Sequence, residues 1–186
     1  MAAGQGEGAG RRADRVTPTL HTARLTLRPR VADDAEALFP TMADAEAMRW
    51  WSYPPFTRVE DLRVHFGTAH PDWRAWAVTW RGEDRAIGFV AAGQRRAGVS
   101  EIGYLFDRAT WGQGVAREAL GALLDQLFAE GQRRVFADID PDNTPSIGLV
   151  ERLGFVLEGR LRAEWETHIG VRDTLIYGLL RDEWRA

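Results

Sequence analysis

A chain of 186 residues, 45% hydrophobic and 27% charged, has the composition of one globular unit with a sizeable core. Its net charge of -3 implies no strong field for nucleic acid or an anionic membrane, and the lack of cysteine excludes disulfides, thiolate metal sites and a cysteine acyl-enzyme. No apolar run approaches the ~20 residues that cross a bilayer, and the N-terminus lacks the apolar core of a secretion signal, so a cytoplasmic location is expected.

Residues Met1 to Thr17 are rich in Gly, Ala and Arg without periodicity, and read as a flexible tail before a single domain over 18–186. Arg24 to Arg28 alternates as a strand. Asp33-Asp34 offer an N-cap to a helix carrying Ala37 and Leu38. The segment Met48 to Phe56 is aromatic and broken by Pro54 and Pro55; its Trp50, Trp51 and Tyr53 either line a pocket or cap the core. Val59 to Phe66 has the spacing of a short helix, and Trp76–Trp80 and Ala86–Ala92 read as an antiparallel pair.

The most informative stretch is Glu101 to Ala119. An apolar strand through Ile102-Gly103-Tyr104-Leu105-Phe106 is followed by the turn Trp111-Gly112-Gln113-Gly114-Val115-Ala116. A segment with Ala116, Leu120, Leu123, Leu124, Leu127 and Phe128 at helical spacing comes next. Glycines at the head of a helix let a ligand approach its unpaired, partly positive amides, which suits a phosphate or pyrophosphate. A plain strand-to-helix turn would use the same residues. A Walker loop is excluded because the chain has no lysine, and a dinucleotide fingerprint fits poorly because Arg117 stands where its third glycine would be.

Beyond this helix, Arg134–Ile139 reads as a strand and Asp140–Ser146 as a loop of turn residues. A short helix ends at Gly154, and Phe155–Leu161 and Asp173–Leu180 read as closing strands. Asn143 or Ser146 either caps the short helix or meets a ligand. The sum is an α/β (α+β) domain with a mixed central sheet of about six to seven strands and flanking helices.

Gly114-Val115-Ala116, the run from Trp111 to Glu118-Ala119, Asn143-x-x-Ser146 and Leu153-Gly154-Phe155 together resemble the GNAT superfamily of N-acetyltransferases. Trp111 and the closing Tyr177 to Trp184 resemble its RimJ/RimL-type branch. The resemblance runs from about Leu20 to Trp184 and implies acetyl-CoA as co-substrate, with no metal. It implies direct transfer of the acetyl group to a primary amine, either a small molecule or a protein N-terminus. Neither nucleic acid nor membrane is implied as a partner, and the protein would be a monomer or homodimer.

Residue by residue, the resemblance assigns the cofactor to the backbones of Leu105 and Phe106, to Trp111, Gly112, Gln113, Gly114, Val115, Ala116 and Arg117, and to Asn143 and Ser146. Trp50, Trp51 and Tyr53 would border the acceptor. Many members of the family carry a tyrosine acid where this chain has Val150, which leaves Ser146 as the nearest hydroxyl for the departing sulfur. Glu101 is the expected general base, or else an ordinary strand carboxylate, with a water chain as the alternative route. Tyr104 would hydrogen-bond acceptor or water, or pack in the core, and His168 is a spare base. A non-catalytic acyl-CoA-binding module and a different phosphate-ligand enzyme are the competing expectations.

Overall fold

In the computed structural model, residues 16–185 are described. The expected tail therefore lies almost wholly outside the described residues. The frame is an eight-stranded mixed sheet in the order β1-β2-β3-β4-β5-β6-β8-β7. The strands are β1 (Leu20–His21), β2 (Leu25–Pro29), β3 (Trp73–Trp80), β4 (Ala86–Arg96), β5 (Val99–Phe106), β6 (Arg134–Ile139), β7 (Val156–Thr167) and β8 (Gly170–Leu180). The extra strand relative to the sequence expectation is β1, two residues long and too short to show any period.

Strands β1 to β5 form an antiparallel meander. Helix α3 (Val115–Ala129) then crosses over to β6, which runs parallel to β5. That ladder covers only Val99↔Arg134, Ser100↔Val135 and Glu101↔Phe136. Beyond it β5 stays on β4 as far as Gly88↔Phe106, while β6 follows β8 as far as Ile139↔Leu175. The sheet is thus open between β5 and β6 from Ile102 onward.

Strand alternation sends side chains to two separate cores. On one face Ile102 and Phe106 join Leu120, Leu123, Leu124 and Leu127 of α3 and Val150 of α4 (Thr144–Arg152). On the other, Leu105 and Phe89 join Leu38 and Met42 of α1 (Asp34–Met42) and Leu62 and Phe66 of α2 (Val59–Gly67). At the start of α1, Asp33 occupies the cap position without a side-chain cap bond. Asp34 is instead buried, taking two hydrogen bonds from Arg28 at 2.9 and 2.6 Å and one from the Val31 amide. A carboxylate bonded bidentately by arginine is worth more there than a surface cap.

Candidate active site

The glycine turn is built from both ends. The Trp111 indole N–H donates to the Phe106 carbonyl at 3.0 Å, pinning the turn to the end of β5. Gly112 and Gly114 have φ of 73° and 75°, left-handed values that a side chain resists, and Gly114 occupies the N-cap of α3. Among the described residues the amides of Gly114, Val115, Ala116 and Arg117 have no protein acceptor, and open space lies above Gly112. The Gln113 amide differs from expectation: it donates to the Thr110 carbonyl at 3.4 Å, closing the turn from inside.

Arg24, which the sequence does not single out, completes this corner. Its guanidinium donates to the Gln113 carbonyl and pairs at 2.7 Å with Glu118 in the first turn of α3. Glu118 also accepts from the Thr22 hydroxyl and the Arg24 amide. Burial pushes the Glu118 carboxyl up, but these hydrogen bonds outweigh it and hold the group below the usual carboxylate range.

The open gap shows which backbone groups β5 offers. The Asp107 amide donates to Ile87 of β4. By alternation the backbone of Leu105 also faces β4, contrary to its expected contact with a ligand, because consecutive strand amides point to opposite edges. The amides of Tyr104 and Phe106 face the gap, while the Phe106 carbonyl is taken by Trp111.

On the α3 side of the gap, the Tyr104 hydroxyl lies 2.6 Å from the Ser146 hydroxyl, joining β5 to α4. Burial pushes the Tyr104 phenol up to about 12, with the Ser146 hydrogen bond opposing. Either hydroxyl can be the donor in this pair, and the short contact fixes the position of the Ser146 oxygen beside the gap. Asn143 caps α4 through its side-chain oxygen, which accepts the Ser146 amide at 3.4 Å. Val150 is wholly buried in the core.

Glu101 lies on the opposite face. Burial pushes its carboxyl up; Arg95, 3.2 Å away, opposes this and Asp138 on β6 adds to it. Asp138 is held by the Trp165 indole at 2.8 Å and by the Thr174 hydroxyl. Trp51 shares this face, 5.7 Å from Phe89 and 5.6 Å from Tyr53 between ring centres. Tyr53 packs on Phe56 and His65, and burial pushes its phenol up to about 12 against the charge of Arg30. The Trp50 ring has the guanidinium groups of Arg49 and Arg172 4.7 and 5.8 Å from its centre. His168, at the β7–β8 turn, contacts the Trp51 carbonyl at 3.0 Å and so tethers the aromatic loop. Among the described residues no cluster of three or more metal-ligating side chains occurs.

A sheet that parts beside a helix whose first amides are unbonded is the decisive arrangement. The acetyltransferase (GNAT) domain model matches residues 24–156. The chain belongs to the GNAT acetyltransferase family. The uncharacterised N-acetyltransferase p20 of Bacillus licheniformis is 32% identical over 174 residues, spanning 89% of this chain and 98% of the relative. A probable GNAT-family acetyltransferase from Chromobacterium violaceum superposes with a TM-score of 0.85 at 29% identity, covering 100% of this chain and 98% of its own. The spermidine N-acetyltransferase of Vibrio cholerae, solved with CoA and spermine, has a TM-score of 0.73 at 20% identity over 87% of this chain and 98% of its own, a likeness of fold alone. As a GNAT protein the chain is an N-acetyltransferase.

Proposed function

We propose that the protein transfers the acetyl group of acetyl-CoA directly to a primary amine, in the manner of the RimJ/RimL-type branch. The unbonded amides of Gly114 to Arg117 beside the parted strands carry this reading. Those amides and the N-terminal dipole of α3 suit a pyrophosphate. The gap between β5 and β6 suits an extended arm lying against the Tyr104 and Phe106 amides, with Asn143 alongside. Acetyl-CoA, once bound, supplies an activated thioester.

In this scheme the Phe106 amide polarises the thioester carbonyl from the strand edge. Glu101, on the acceptor face, takes the proton of the incoming amine directly or through water. Ser146, oriented by Tyr104, gives a hydrogen bond to the departing sulfur. Trp50, Trp51 and Tyr53 form the acceptor wall. No step needs a metal. We place the protein in the cytoplasm, acting as monomer or homodimer; among the described residues no helix is long and apolar enough to cross a membrane.

Titration calorimetry with acetyl-CoA tests this. The native protein is expected to bind, and Gly114→Val to bind at least about tenfold more weakly, a loss of about 1.4 kcal/mol. A side chain at Gly114 meets only Arg24, at 3.7 Å, so the loss would come from the left-handed φ and the covered amides rather than a clash. Absence of binding by the native protein would remove the proposal.

A further inference from the structure

The sheet face that carries Glu101 has a trough across it. Ala75, Ala91 and Gly103 stand in line on β3, β4 and β5 by register, and the Arg30 amide bonds the Ala75 carbonyl at the end of the row. All three are partly exposed, and Ala91 is the one residue of the run Ala86 to Gly93 that is not buried. A side chain built on Gly103 would meet nothing within 4 Å. One wall is Phe89, with Trp51 packed on it; the other is Glu101 and Trp73, whose ring lies over Gly93. The trough therefore opens onto the gap at Gly103, next to Glu101.

Arg30 closes the far end. Its guanidinium sits 4.0 Å from the centre of the Phe66 ring and 5.2 Å from that of Phe89. Its Nε is buried without a hydrogen-bond partner, and among the described residues it has no ion pair. The nearby carboxylate that could serve it, Asp34, is held by Arg28. Burial pushes the Arg30 guanidinium below its ordinary range, and Tyr53 and Asp34 oppose this only in part. A desolvated guanidinium with an unbonded Nε and no ion pair of its own favours an anion in the trough, since its desolvation is already incurred and a planar carboxylate matches its fork.

We propose that Arg30 is an acceptor-binding residue, and that the acceptor is an amine bearing a carboxylate, its nitrogen at Glu101 and its acid group at Arg30. This rests on the acetyl-transfer reading above. The Arg30 guanidinium lies over Phe89, which pairs with Leu105, and Glu101 stands four residues back along β5, about 13 Å at ~3.3 Å per residue. A flexible amino acid with several methylenes spans that distance once its hydrogen bonds at both ends are added.

The test measures CoA thiol release from acetyl-CoA with glycine, 4-aminobutyrate, 6-aminohexanoate and the carboxamide of each. The native enzyme is expected to favour 4-aminobutyrate or 6-aminohexanoate over its carboxamide by at least tenfold in kcat/KM. Arg30→Met, which keeps a stem against Phe66, should bring that ratio close to one, and Arg30→Lys should retain part of it. Melting temperature and acetyl-CoA affinity, measured on the same samples, separate a lost fold or lost cofactor site from a lost anion contact. Equal use of acid and carboxamide by the native enzyme, or no use of any of the carboxylates while acetyl-CoA binds, overturns the proposal. A native enzyme that does not bind acetyl-CoA would instead refute the acetyl-transfer reading itself.

Discussion

Glu101 has reason to hold its proton longer than most carboxylates. Its side chain is 18% exposed, and the burial that raises it is reinforced by Asp138 and only partly offset by Arg95. A base works when deprotonated, so the raised value moves the acid limb of the pH–rate profile upward from the ordinary carboxylate range toward neutrality. The stability consequence has the opposite sense. The folded protein binds this proton more tightly than the unfolded chain, so the contribution is full at low pH and fades as pH rises through the raised value. Glu101→Gln is expected to lower kcat by about 10²- to 10⁴-fold with acetyl-CoA affinity kept and the acid limb gone. A limb that survives the substitution would assign it to another group. The sequence offers Glu101 only as one carboxylate at a strand start; its partner Asp138 is 37 positions away and is found through the β5–β6 register.

Among the elements, the pair β4–β5 matters most, because β5 must stay on β4 while β6 departs. Gly88 makes that contact close: a Cβ there would come within 2.7 Å of the Leu105 carbonyl and 2.4 Å of the Phe106 ring. Gly88→Ala is expected to cost about 1–3 kcal/mol by overpacking, read from urea unfolding, and to weaken acetyl-CoA binding because the displaced backbone borders the gap. Unchanged affinity in a destabilised variant would show that the gap tolerates movement of β5. The strands of this region and α3 are legible in sequence, since apolar residues recur at the period of each. The β7–β8 hairpin is longer than its sequence pattern, which ends β7 at Leu161 and starts β8 at Asp173. The added residues are mostly polar and exposed, so no buried face marks their alternation.

For the whole molecule, the sheet separates two cores that share its strands. Leu124 of α3 and Leu62 of α2, both wholly buried, belong one to each. Leu124→Ala and Leu62→Ala are each expected to cost about 2–5 kcal/mol. Because strand backbones are common to both, both variants should shift one cooperative transition, seen alike by far-UV circular dichroism and tryptophan fluorescence. Two resolved transitions would show that the faces unfold separately. The same division places the Tyr104–Ser146 pair on one face and Glu101 with the aromatic loop on the other, so the gap is the passage between them.

Most of the elements and the glycine turn ahead of α3 were legible in sequence, because each depends on neighbours within a few residues: left-handed φ at Gly112 and Gly114, the period of α3, the turn after β6. Folding decided what depends on distant partners. The early end of the β5–β6 ladder selects the Tyr104 and Phe106 amides over that of Leu105. The hydroxyl pair of Tyr104 and Ser146 spans 42 positions. Arg28's hold on Asp34 is what strands Arg30 among aromatic rings. Charge pairing and strand register are relations between segments, and only the packed sheet fixes which segments meet.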